Sequence, residues 1–123
     1  ILLAEDGEDN QRLIAYHLRN AGAEVTIAGN GRIALALLHD AARTATQYDL
    51  LVTDMQMPEL DGYTLARTLR AEGNALPIIA LTASDSGDCH DACMQAGMDE
   101  YMQKPFRADQ LNTILNRIQI KPR

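Results

Sequence analysis

Separated stretches of this 123-residue chain end in groups suited to moving a phosphoryl group: Glu5-Asp6, Asp54, Thr82 and Lys104. Leu50-Leu51-Val52-Thr53 reads as a buried strand, uncharged and with two β-branched residues, and it stops at the carboxylate of Asp54. Pro58 and Asp61-Gly62 then punctuate a loop, so Asp54 sits at the carboxyl end of that strand. Ile1 to Ala4 is an apolar run ending in Glu5-Asp6, Pro77 to Thr82 ends in a hydroxyl, and Glu100-Tyr101-Met102 runs on to Lys104-Pro105. In an open parallel sheet these strand ends share one edge, where ligands bind. Carboxylates crowded into one crevice repel one another unless a cation lies between them. Oxygen donors of this kind suit Mg²⁺, which takes one or two carboxylates, waters and a substrate phosphate. Thr82 adds a hydrogen-bond donor and Lys104 a point charge for a phosphoryl oxygen. Carboxylate nucleophile, divalent metal, hydroxyl and ammonium together describe a phosphoryl-transfer site, where positioning and charge neutralisation do most of the work. The plainer alternatives are local: Asp54 closing a turn, and Glu5-Asp6 placing negative charge at the start of the next helix.

The elements that must hold these groups alternate. After the first strand the pattern turns helical from Asp9, with Leu13, Ile14, His17, Leu18 and Ala21 on one stripe and Gly22 as a stop. Glu24 to Ala28 reads as a strand, Gly29-Asn30-Gly31 as a turn, and Ile33 to Ala42 as a helix with Leu37 and Leu38 inward. Gly62 opens a helix through Leu65 and Leu69 that ends near Gly73-Asn74. Ser84 to Ala96 reads as a polar helix closed by Gly97, and Arg107 to Ile120 as an amphipathic one with Leu111, Ile114, Leu115 and Ile118 inward. Strand-helix repeated in this way implies a parallel sheet with right-handed crossovers and helices on both faces.

Composition narrows the function. The length suits one domain that can bury a core without metals or disulfides. The formal net charge of −6, from 17 acidic and 11 basic residues, argues against nucleic acid as a direct ligand and suits a cation site. No apolar run approaches the ~20 residues of a membrane span. Cys89 and Cys93 are too sparse for a disulfide framework, so a reducing, cytoplasmic setting is expected. With His90 they lack a fourth ligand for zinc. His17 reads as packed or partner-facing and His39 as a solvated helix-end residue, while the methionines read as adaptable packing. The chain opens at Ile1, already inside a strand, and the expectation is a single domain, residues 1–123, excised from a larger protein.

In order and spacing the chain resembles the response-regulator receiver domain of two-component signalling. The motifs are Glu5-Asp6, Asp54-Met55-Gln56-Met57-Pro58 with Asp61-Gly62, Leu81-Thr82-Ala83, Ala96-Gly97-Met98-Asp99, and Tyr101 three residues before Lys104-Pro105. The resemblance implies an α/β, doubly wound, flavodoxin-like fold with five parallel strands in the order 2-1-3-4-5. It implies that Asp54 accepts a phosphoryl group from a histidine of a partner, either a histidine kinase or a histidine phosphotransfer domain. Asp6 and Asp54 would ligate Mg²⁺, with Glu5 helping through water and Gln56 offering its backbone carbonyl. Thr82 would bind the phosphoryl oxygen, Lys104 would pair with the phosphate ahead of a cis peptide at Pro105, and Tyr101 would change rotamer together with Thr82. Glu5-Asp6-Gly7-Glu8-Asp9-Asn10-Gln11, Pro77 to Ala83 and Cys93 to Asp99 are most similar to receivers attached to hybrid sensor histidine kinases. Two positions depart from that pattern: Gly7 replaces the usual Asn, loosening the loop that holds Asp6, and Asp9 adds charge near the metal.

Rival readings lack their own signatures. A pseudo-receiver that only docks partners would be missing the nucleophile, a metal carboxylate or the lysine, and all are present here. A haloacid-dehalogenase-like phosphatase wants a second Asp two residues past the nucleophile, where this chain has Gln56. A nucleotide-binding enzyme wants a Gly-rich phosphate loop after the first strand, and none follows it.

Overall fold

Both faces of the central sheet are covered, which is why its inner strands read as unbroken apolar runs rather than alternating ones. The computed structural model describes residues 1–20, 22, 24–44, 48, 50–55, 60–74, 76–82, 91, 94–103 and 113. In chain order the elements are β1 (Leu2–Ala4), α1 (Glu8–Asn20), β2 (Thr26–Ala28), α2 (Gly31–Thr44), β3 (Leu51–Asp54), α3 (Gly62–Ala71), β4 (Ile78–Thr82) and β5 (Glu100–Gln103). All pairings are parallel, and the five strands lie in the order β2-β1-β3-β4-β5, as the sequence implied.

Alternation along the strands sorts the core into two layers. Leu2, Ala4, Leu51, Ile78 and Ala80 pack against Ala34 and Leu38 of α2 and Leu65, Ala66 and Leu69 of α3. Leu3, Val52, Ile79 and Leu81 face the other way, onto Ile14, Ala15 and Leu18 of α1. Met55, Met98 and Met102 are buried in these layers and Met94 is exposed, so most of the described methionines serve as packing.

The expected inward stripe of α1 needs correction. Leu13 is 51% exposed, and the buried residues are Ile14, Ala15 and Leu18. Each helical residue turns the side chain by about 100°, so a stripe centred between Ile14 and Ala15 leaves Leu13 on the far side. His17 lies at the margin, half-buried, with its ring edge-on to the exposed Tyr16 at a centroid distance of 5.6 Å. In α2 Leu38 is buried and Leu37 is partly buried against the same layer, as expected. His39 is not simply solvated: it sits mid-helix, and its Nε2 lies 2.8 Å from Glu72 Oε2 at the end of α3.

Element ends follow their caps. Asn30 Oδ1 accepts from the Ile33 N–H at 2.9 Å, so α2 starts at Gly31, earlier than the apolar pattern alone suggests. Asp61 caps α3, its Oδ1 accepting from the Thr64 N–H at 2.7 Å, and Gly73 at φ 80 ends that helix. Strand β2 is shorter than the expected run from Glu24, and β5 extends one residue further, to Gln103. Of the expected helix from Ser84 to Ala96, Asp91, Met94 and Gln95 are helical among the described residues and Gly97 turns the chain at φ 94, while Cys89, His90 and Cys93 lie outside the described residues. The expected helix from Arg107 to Ile120 likewise falls outside them except at Thr113.

Candidate functional site: an acidic cluster at the carboxyl edge of the sheet

The sheet register brings the expected acids together. Ala4 pairs with Thr53, so the next residues along, Glu5 and Asp54, end neighbouring strands side by side, with Asp6 one step beyond. One carboxylate oxygen from each of Glu5, Asp6 and Asp54 lies within 4.8 Å of the others. Among the described residues this is the one such cluster. Glu5 is buried, Asp54 half-buried and Asp6 exposed, so the cluster opens outward at Asp6. Three convergent carboxylates are a hard-oxygen donor set, and that chemistry fits Mg²⁺.

Glu5 is only 1% exposed, and burying a carboxylate is costly unless donors surround it. Its Oε1 accepts from the Gly7 N–H at 3.2 Å and from Asn10 Nδ2 at 3.5 Å. Its backbone carbonyl accepts from Gln11 Nε2 at 2.6 Å. Gly7, expected to loosen this loop, is tied on both sides, because its carbonyl also accepts from the Gln11 N–H at 2.8 Å.

Asp54 is held by its backbone. Its carbonyl accepts from Thr53 Oγ1 at 2.9 Å, and the following Met55 N–H donates to Leu81 O at 3.2 Å. Gly62, the first residue of α3, donates its N–H to Met55 O at 3.2 Å and lies hard against the Asp54 carbonyl. A Cβ at Gly62 would stand 2.5 Å from that oxygen, so the close approach requires glycine.

Thr82 closes β4 one residue past the partner of Asp54, Leu81, and is 5% exposed. Two residues beyond Ala80, it lies on the sheet face that α2 and α3 cover. Tyr101 pairs with Ala80 and is partly buried against that same layer, so Thr82 and Tyr101 share one face of adjacent strands. Gln56 and Lys104 lie outside the described residues. In the sequence Asn10 and Gln11 read only as part of a motif, and Gly62 as loop punctuation, motif residue and helix start, without its contact to Asp54. The available signal was two amide side chains in the first turn after an acidic pair, the place from which they reach back to the strand end.

The comparisons agree with this geometry. The family model described as response regulator receiver domain matches residues 1–116. The chain is 34% identical over 120 residues to hybrid signal transduction histidine kinase I of Dictyostelium discoideum, covering 94% of this chain and 7% of that protein. It thus spans a small fraction of the curated hybrid kinase that it matches. Among solved structures, the receiver domain of sensor histidine kinase PA1611 from Pseudomonas aeruginosa is 41% identical, with a TM-score of 0.80 and coverage of 94% of this chain and 93% of that one. That structure holds a magnesium ion coordinated in its active site cleft. The receiver domain of the Francisella response regulator 1452 superposes with a TM-score of 0.84 at 32% identity, covering 95% and 93%. With its strand order, its acidic edge and a family match over nearly its whole length, this chain belongs to the response regulator receiver domain family.

Proposed function

We propose that the chain is a Mg²⁺-dependent phosphoacceptor switch in a phosphorelay, a single domain within a cytoplasmic part of a hybrid sensor histidine kinase. Asp54 attacks the phosphorus of a phosphohistidine on a histidine kinase or histidine phosphotransfer domain. The new bond is Asp54 Oδ–P, the bond that breaks is P–N, and the imidazole leaves. Glu5, Asp6 and Asp54, with the Gln56 carbonyl, would hold Mg²⁺, which would supply charge neutralisation on the phosphoryl oxygens. Thr82 donates its hydroxyl to the transferred group, and Lys104 pairs with it. Once the group is in place, Thr82 and Tyr101 rearrange together, which a partner can read. What supports this most is the convergence of Glu5, Asp6 and Asp54 within 4.8 Å at the edge where Thr82 also ends. The magnesium-bound relative and the likeness to hybrid kinases support the cation and the parent.

The test is intact mass after treatment with acetyl phosphate, in Mg²⁺ and in EDTA, for wild type and Asp54→Asn. The expected result is a Mg²⁺-dependent gain of one phosphoryl group that the variant lacks. A folded wild type that gains nothing would refute the switch and leave a docking module.

A further inference from the structure

The ladder between β1 and β2 runs out at Glu5. Its N–H donates to Ala28 O at 3.0 Å, and there β2 ends, the chain turning away through Gly29 and Asn30. Beyond that bond the Glu5 carbonyl takes its donor from a side chain. Gln11 supplies it through Nε2 at 2.6 Å. The same residue opens α1 with its backbone, its N–H donating to Gly7 O at 2.8 Å. One turn of helix thus grips one residue: Gln11 at the Glu5 carbonyl, Asn10 and the Gly7 N–H at Glu5 Oε1. All of these donors are neutral. They fix the carboxylate without adding positive charge that would compete with a cation beside it.

We propose that Gln11, assisted by Asn10, is a positioning residue for the cation site. By holding the Glu5 backbone at the end of β1 it sets the direction of the buried Glu5 carboxylate and of the exposed Asp6 that follows. The proposal rests on the Mg²⁺ reading above. Mg²⁺ demands near-octahedral geometry, so a loosened ligand weakens binding steeply. Groups that orient metal ligands typically account for 10–100-fold in affinity. A role in starting α1 alone would not need this side chain, because the Gln11 N–H makes that bond whatever the side chain is. Gln11→Met keeps the length and nearly the helix propensity and removes only the donor.

The experiment is a calorimetric Mg²⁺ titration of wild type, Gln11→Met and Asp6→Asn, beside metal-free melting and the metal-free resonance of the Gly7 amide. For Gln11→Met the Mg²⁺ Kd is expected to rise by about tenfold or more. The Gly7 amide proton should move upfield as its bond to Glu5 Oε1 loosens, and metal-free melting should change little. A folded Gln11→Met whose Kd stays within about twofold of wild type, against that tenfold expectation, overturns the proposal. Should Gln11→Met fail to fold, Gln11→Asn, whose amide is one methylene too short to reach the carbonyl, is read by the same criterion. A wild type that binds no Mg²⁺ overturns the cation reading itself, an outcome distinct from unequal binding by the two proteins.

Discussion

Replacing Gly62 with alanine sets two effects of opposite sign against each other. On helix propensity alone the change should help, because glycine within a helix costs up to about 1 kcal/mol relative to alanine, and less in the first turn. The packing says otherwise. The new Cβ would stand 2.5 Å from Asp54 O, 3.1 Å from Met55 Cα and 3.1 Å from Met55 Sδ, short of the 3.4 Å at which ordinary contact begins. Sulfur on a flexible side chain can yield, but the Asp54 carbonyl and Met55 Cα are backbone held by Thr53 Oγ1 and by the β4 ladder. Overpacking of this kind costs typically 1–3 kcal/mol, so the net expectation is a loss of roughly 1–2 kcal/mol. For a chain of this size that is roughly 4–10 °C in melting temperature. Far-UV circular dichroism reads it directly, since the chain has no tryptophan. The same displacement moves the Asp54 carboxylate, and acetyl phosphate labelling should slow by an order of magnitude or more. Gly7→Ala is the internal control. Its nearest atom would be Glu5 Oε1 at 3.4 Å and its φ is not positive, so the variant should be neutral or about 0.4–1 kcal/mol more stable. A Gly62→Ala protein as stable as wild type would refute the steric reasoning, and so would loss of stability at Gly7 instead.

Other expectations follow from individual contacts. Arg70 donates to Gly97 O, Asn74 O and Leu76 O and pairs with Asp99 Oδ2 at 3.0 Å, so Arg70→Ala should destabilise by about 2–3 kcal/mol in urea unfolding, discounted for partial exposure. Arg70→Lys should recover little of this, because the lysine lacks the fork that serves several acceptors at once; full recovery would mean that charge alone matters. Leu13→Ser on the exposed side of α1 should change stability by no more than about 0.5 kcal/mol, whereas Ile14→Ala should cost about 2–4 kcal/mol. Reversed effects would return α1 to the face first read from the sequence. Mg²⁺ at 100 times its Kd should stabilise the wild type by about 2.7 kcal/mol, and Asp54→Asn or Glu5→Gln should lose most of that gain in thermal melts.

The parallel sheet was legible because each inner strand is a short apolar run bounded by turn residues, while its order came with the resemblance to receivers. The acidic cluster was legible because Glu5-Asp6 and Asp54 each end such a run. Parallel pairing then does the rest: once strands one and three are neighbours in register, their terminal carboxylates must meet. Thr82 and Tyr101 follow by the same logic, since adjacent parallel strands set them two rungs apart on one face. The face of α1 was less legible. Leu13 and His17 are apolar or amphipathic and correctly spaced from Ile14 and Leu18, and a one-residue rotation of the stripe leaves nearly the same pattern. Only packing against Leu3 and Val52 chooses Ala15 over Leu13.

What the sequence hid are contacts between residues whose types have ordinary local explanations. Asp61-Gly62 reads as loop punctuation with Gly62 starting a helix, and in the fold Asp61 caps α3. The close approach to Asp54 O depends on where β3 lies under that helix, a distance no local pattern encodes. Arg70 stands in the last turn of α3, where any basic side chain suits the dipole. It also reaches Gly97 and Asp99, 27 and 29 residues away. Asp99 in turn accepts from the Ile78 N–H at 2.8 Å where β4 begins. Helix α3 is therefore pinned at both ends of the sheet, by Gly62 against the strand that carries Asp54 and by Arg70 against the turn that starts β5. Glycine serves at one end by having no side chain and arginine at the other by the length and branching of its own. A substitution judged conservative by composition at either position removes the one property that its place in the fold requires.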